Sequence, residues 1–208
     1  MKVELINQEE AQNLFKLWTQ VASVCYDSTI KNPEGIGKHC LKSGHTSGSR
    51  GTYFVFKITD VPRFVVDQAV RHEDGVYKNV GSFRYIDKST FMYEIPSEIM
   101  DNNELLKDYI EHMDKTIDMY TRIQTYVFDK TNKQERANEQ ARYVLPMATH
   151  TSFCIGFDIE ALTHYLGKRL CVRTEDVHRE MAMMIRDEVL KIFPELKDRL
   201  VPQCQQLL

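Results

Sequence analysis

Apolar residues at helical spacing mark the first element of the chain: Phe15, Trp18, Ala22 and Cys25 share one face of a stretch running from about Glu9 to Cys25. Asn7 and Glu10, three apart at its start, predict a capping box. A shorter helix is predicted over Ile36 to Lys42, stopped at Ser43-Gly44, where glycine suits a left-handed cap. The glycine- and serine-rich segment His45 to Gly51 reads as a linker or a ligand-binding turn. Thr52 to Ile58 is aromatic and β-branched enough for a strand, after which Asp60-Val61-Pro62 predicts a helix start with proline in its first turn. That helix should carry Phe64 to about Arg71; Glu73 to Tyr85 reads as irregular, and Ser89 to Ile95 as a second strand.

The longest periodic run lies between Asp101 and about Phe128, where Leu106, Tyr109 or Ile110, Met113, Ile117, Tyr120, Ile123 and Val127 recur close to every 3.6 residues. A helix over Gln134 to Tyr143 must end before Pro146, and His150 to Phe157 has strand character. Asp158 caps a helix through Arg169; Thr174 caps the last one, with Val177, Met181, Ile185, Val189 and Ile192 inward and an end near Pro194. Strands flanking a helix, followed by long helices, predict an α+β fold of mixed helices around a small sheet. With 208 residues and 42% hydrophobic content, the chain is expected to form a single domain over residues 1–208.

Charge narrows the partners. A net charge of -3 gives no general attraction to nucleic acid or to an anionic membrane, so any phosphate site must be local. MKVELINQEE lacks the apolar stretch of a signal peptide, and no run of about 18 apolar residues follows, which predicts a soluble cytoplasmic protein. The five widely spaced cysteines form no CxxC pair and fit reduced thiols. There is no GxSxG, HExxH, Walker or GxGxxG motif, and the spacing of His39, Cys40 and His45 fits no familiar zinc pattern, so no metal site is expected.

What stands out is arginine at the ends of apolar helices. Gln68, Arg71 and His72 close one helix, and Ser82, Arg84 and Tyr85 follow shortly. Guanidinium offers paired donors and serine a third, so such a cluster can fork around a phosphate, although solvated surface arginines would give the same spacing. Arg142 before Val-Leu-Pro and Arg169 after an apolar helix carry the same two readings.

These segments resemble, in order, those of the flavin-dependent thymidylate synthases. Gly44-His45-Thr46-Ser47 is similar to the opening of GHxSxxEH, Gln68-Ala69-Val70-Arg71-His72-Glu73 to QxxRHR, and Ser82-Phe83-Arg84-Tyr85 to SxRY. Glu139 to Pro146 resembles ExARxxLP, and His164 to Arg169 resembles HFLxLR. The likeness implies the family's α+β fold and a homotetramer whose active sites are built from several subunits. It also implies methylation of dUMP with methylenetetrahydrofolate, FAD and NADPH, without a cysteine nucleophile. It assigns Gln68, Arg71, Ser82, Arg84 and Arg142 to the nucleotide, chiefly its phosphate. Arg169 falls to the uracil edge, as the catalytic stabiliser of charge developing on the ring. Ser47, Arg71, His72, His164 and Arg173 are the positions expected to hold flavin.

Several positions depart from the pattern: Glu73 replaces the third basic residue of RHR, Arg50-Gly51 the EH pair, and Asp158-Ile159-Glu160 an NxR segment. Carboxylates facing a pyrophosphate turn attraction into repulsion. The opposite substitutions at 50 and 73 predict that Arg50 and Glu73 have exchanged charges and pair across the site. Two functions are then open: an FAD-dependent thymidylate synthase, or a relative that binds a pyrimidine nucleotide but has lost or altered FAD binding and the methylation.

Overall fold

Alternating exposed and buried residues in Lys2–Leu5 form a first strand, β1, where the sequence signals none. The computed structural model describes residues 1–26 and 30–206, the side chains of Cys25, Tyr26 and Gln206 excepted, so the inward placement expected for Cys25 lies outside the described residues. Two contacts explain β1. The Asn7 side chain donates to the Tyr53 carbonyl at 2.8 Å and accepts from the Val55 N–H at 2.9 Å, clamping the segment to the next strand. Asn7 therefore makes no capping bond, and the expected capping box does not form. The single helix expected from Glu9 to Cys25 is two, α1 (Gln8–Gln12) and α2 (Leu14–Tyr26). They break at Asn13, whose side-chain amide competes for the Glu9 carbonyl at 3.1 Å.

Helix α3 (Pro33–Lys42) and the 3-10 turn 47–51 lead into β2 (Phe54–Pro62). Pro62 ends that strand instead of starting the helix. Its missing N–H is harmless at a strand end, and Arg63 carries the pairing on by donating to the Thr149 carbonyl at 3.0 Å. Helix α4 covers Arg63–Ala69. β3 (Val76–Val80) lies inside the stretch expected to be irregular, while Ser89 to Ile95 forms no strand and contributes one isolated bridge from Tyr93 to Thr149. With β4 (His150–Phe157) the strands make an antiparallel sheet in the order β1-β2-β4-β3.

A short α5 (Ser97–Met100) precedes α6 (Asn103–Thr131), which Asn102 caps by accepting from the Leu105 N–H at 3.1 Å and left-handed Asn132 ends. Then come α7 (Gln134–Ala141), α8 (Ile159–Arg169), α9 (Asp176–Ile192) and α10 (Gln203–Gln206). Asp158 caps α8 as expected, accepting from the Ala161 N–H at 2.8 Å. The cap of α9 is Glu175, one residue beyond the Thr174 expected, because the Thr174 hydroxyl is committed to the Lys168 carbonyl at 3.1 Å. No helix of the described residues is long and apolar enough to cross a membrane.

The chain divides into two compact units, Met1–Ile58 with Ala69–Asn79 and Cys154–Leu208, and Thr59–Gln68 with Val80–Phe153. In the first, Phe193 stands edge-on to Phe15 at 5.3 Å and to Phe54 at 5.8 Å, and Trp18, Ile155, Phe157 and Tyr165 are fully buried. Each such side chain contributes about 1.5–3 kcal/mol on burial. In the second, Tyr120 on α6 is buried and its hydroxyl accepts from the Lys88 N–H at 3.2 Å, while the buried Asn138 of α7 accepts from Gln124 of α6 at 2.8 Å. The apolar stripe of α6 is buried or half-buried, whereas other apolar residues of the helix, Ile110, Met119, Tyr126 and Phe128, are exposed.

Candidate functional site

Within the first unit a cleft of about 1040 Å³ lies between the end of α4 and the start of β3 on one side and α8 on the other. Arg71 and His72 enter it from the turn that glycine makes possible: Gly75 has φ +66, and a side chain there would run into the Asp158 carboxylate. His164, Lys168 and Arg169 enter from α8, the first two one helical turn apart on the same face. Four of the positions expected from sequence thus converge: Arg71, His72, His164 and Arg169. Ser47 and Arg173, also expected to hold flavin, are exposed and do not line this cleft.

Arg169 is positioned by His72. Its Nε and Nη2 approach His72 Nε2 at 3.3 and 3.2 Å, so that nitrogen accepts and the ring proton sits on Nδ1. A neutral imidazole is required, and the site enforces it. Burial, then Arg169, Lys168 and His164, lower the His72 pKa to about 4. Behind it the fully buried Tyr165 meets the His72 ring edge-on at 4.9 Å and shares a hydrogen bond of 2.9 Å with His178. Burial pushes His178 down to about 3 and Tyr165 up. This aromatic stack is invisible to motif reading, because Tyr165 and His178 look like ordinary core residues of α8 and α9.

The carboxylates of the cleft decide whether it can hold an anionic flavin. Four line it: Glu73, Asp74, Asp158 and Glu160. Asp158 is occupied as the α8 cap. Glu160 accepts from Thr46 and, at 3.0 and 2.8 Å, from Arg50 Nε and Nη2, and these bonds hold its pKa below the ordinary value. Arg50 therefore pairs with Glu160 and not with Glu73, which corrects the pairing expected from sequence. One of the four acids, Glu160, is thus ion-paired and a second, Asp158, is held at a helix N-terminus, while Arg71, Lys168 and Arg169 supply cationic surface. The donor set fits a phosphorylated flavin lying toward Arg71, His164 and Lys168.

A second pocket, of about 540 Å³, lies within the second unit and is lined by Arg63, Val80, Gly81, Ser82, Phe83, Arg142 and Tyr143. Ser82 and Arg142, both expected to hold the nucleotide, line it together. Arg84 does not line it: its guanidinium bonds Glu135 at 2.5 Å and lies 3.8 Å from Glu139 on α7. Gln68 is the penultimate residue of the short helix that Arg63 begins, is partly buried, and lines neither pocket.

An α+β chain with a flavin-sized cleft of mixed charge and a separate guanidinium pocket is in the class of proteins that hold phosphorylated, ring-bearing ligands. The chain belongs to the flavin-dependent thymidylate synthase family: the family profile described as "Thymidylate synthase complementing protein" matches residues 4–195. Flavin-dependent thymidylate synthases are among its relatives. That of Nitratidesulfovibrio vulgaris is 30% identical over 167 residues, 80% of this chain and 68% of the relative. That of Thermococcus kodakarensis is 32% identical over 177 residues, with the same shares. The fold matches a Helicobacter pylori flavin-dependent thymidylate synthase, ThyX, solved with FAD and dUMP, at TM-score 0.62 and 16% identity over 90% of this chain and 95% of that one. It also matches the Streptomyces cacaoi UMP/dUMP methylase PolB, bound with 5-Br dUMP, at TM-score 0.66 and 17% identity over 92% and 90%.

Proposed function

We propose that this chain catalyses the reductive methylation of dUMP to dTMP, with FAD bound and with methylenetetrahydrofolate and NADPH as co-substrates. The observation that carries the reading is the convergence of Arg71, His72, His164 and Arg169 on one cleft. A bound flavin would supply hydride chemistry there; the protein supplies orientation and electrostatics. Arg71, His164 and Lys168 would hold the cofactor. Arg169, held against neutral His72, would meet the uracil edge and stabilise negative charge as it grows on the ring. Because His72 cannot take a proton near neutral pH, it keeps Arg169 in place without adding a second positive charge. Ser82 and Arg142 would receive the nucleotide phosphate.

The reading includes a cytoplasmic homotetramer with shared active sites. Its support is the apolar surface left exposed on α6, the kind of surface that marks a protein–protein contact.

Calorimetric titration of FAD, with and without dUMP, tests the proposal first. Micromolar or tighter FAD binding followed by dTMP formation in a turnover assay is the expected result. Clear dUMP binding with no FAD binding would leave the nucleotide pocket without the redox chemistry and overturn the assignment. UMP titrated in parallel reads whether the pocket selects deoxyribose.

A further inference from the structure

We propose that the buried pair Tyr165 and His178 positions Arg169 for the reaction, acting through His72. This rests on the reading of Arg169 as the group that meets the uracil edge. Three features of the first unit carry it.

First, the four side chains form one connected path. Tyr165 and Arg169 stand four residues apart on α8, one turn from each other on the same face. His72 closes onto both: its Nε2 accepts from Arg169 Nε at 3.3 Å, and its ring meets the Tyr165 ring edge-on, with centroids 4.9 Å apart. The Tyr165 hydroxyl in turn is bonded to His178 Nε2 on α9 at 2.9 Å. The ring under His72 is thus held at both ends, by its own helix and by the next.

Second, the pair is a polar exception in an apolar place. Tyr165 and His178 are fully buried, and Phe157 packs on the Tyr165 ring at 4.7 Å. Phenylalanine would fill the same space, and the HFLxLR segment that His164 to Arg169 resembles has phenylalanine where this chain has Tyr165. The added hydroxyl requires a buried partner, which His178 supplies. Two apolar side chains of similar shape would serve stability about as well. What the bond adds is direction, because a satisfied buried polar contact fixes one arrangement of the core.

Third, the contact resting on that ring tolerates little error. His72 accepts from Arg169 only while its Nε2 keeps a lone pair turned toward the guanidinium. Arg169, Lys168 and His164 of α8 and Lys78 of β3 all oppose a proton on His72, and burial opposes it further. An imidazole displaced toward water takes up a proton more readily, and the protonated ring repels Arg169. Holding Tyr165 therefore secures both the place and the protonation state of the group that supports Arg169.

The test combines histidine-ring nitrogen NMR, dUMP titration and steady-state dUMP turnover on the full chain. Wild type is compared with Tyr165→Phe and with Tyr165→Phe carrying His178→Leu. The double variant leaves no buried polar orphan, so it serves should Tyr165→Phe fail to fold. Turnover is expected to fall roughly tenfold in both, because small misplacements of a reacting group are costly. Affinity for dUMP should change by less than about threefold, and the His72 titration should move up in pH. His178→Gln, whose amide can keep the bond to Tyr165, should lose less turnover than His178→Leu. An unchanged His72 titration in the double variant, or wild-type turnover there, would make the bond a matter of core packing alone and overturn the proposal. Equal losses in turnover and dUMP affinity would mean a general loosening of the cleft and would also overturn it. If wild type forms no dTMP, the functional reading itself fails, while the NMR arm still decides whether the pair holds His72.

Discussion

The two pockets teach opposite lessons about arginine. In the cleft of the first unit, charge is mixed and largely satisfied from within: Arg50 holds Glu160, Arg169 rests on His72, and Asp158 caps a helix. In the second unit the pocket has guanidinium donors and, among the described residues, no lining acid, while Arg84, from the SxRY-like segment, lies outside it and is paired with carboxylates. A cleft that neutralises itself can hold a large ligand at several points without strong dependence on any one charge. A pocket with fewer opposing charges depends more on each of its donors. The motif names the residues; the partners decide what each can do.

Substitutions separate the two cases, and the largest effect is expected at Arg169. Arg169→Ala should reduce kcat by roughly a hundredfold to a thousandfold with a smaller change in dUMP affinity, because the charge it meets grows in the transition state. Steady-state kinetics beside nucleotide titration reads the split; equal losses in both would reduce Arg169 to a binding role. Next come His72 and His178, whose folded pKa values lie near 4 and 3 against 6.5 for an ordinary histidine. The unfolded chain takes up these protons first as pH falls, so stability present above about pH 6.5 should be lost progressively toward pH 3, by at least roughly 1–3 kcal/mol. Denaturant titrations of wild type and His72→Gln would show it, the variant having the shallower pH dependence; parallel profiles would exclude His72 as a source.

The smallest expected effect concerns the ion pair of the cleft. Arg50 and Glu160 are substantially exposed, so a double-mutant cycle on alanine variants should give a coupling of about 0.5–1 kcal/mol. Reversal is more telling. Arg50→Glu alone sets two carboxylates together beside the cofactor cleft and should weaken FAD binding several-fold, whereas Arg50→Glu with Glu160→Arg should recover most of it. Failure of the double reversal to recover would mean that the pair does not shape the cofactor site.

Much of this was readable in the sequence, and the misses have physical causes. Long helices with a strong apolar stripe, α6, α8 and α9, and the strand β4 follow from periodicity, and Asp158 announces its own cap. β1 was missed because a four-residue strand gains its register from Asn7 clamping the neighbouring strand, a contact between distant positions. β3 was missed because Lys78 and Asn79 dilute its pattern, and Lys78 reaches the Val70 carbonyl at 2.7 Å instead of pointing to solvent. In the cleft, Arg71, His72, His164 and Arg169 were legible through their motifs. Charge partners were not: Arg50 lies 110 residues from Glu160, and no local pattern links them. Arg63 was passed over because its position reads as the start of a helix; its spacing of four from Asp67 was the available signal.

Under the proposed assembly, the exposed apolar side chains of α6 have a thermodynamic corollary. A chain that finishes its hydrophobic burial against other copies has no single melting temperature, since mass action makes its stability rise with the logarithm of concentration. Under the shared-site reading, the dilute enzyme of a kinetic assay and the concentrated protein of a calorimeter are then different populations, and activity per chain should fall on dilution before the fold does.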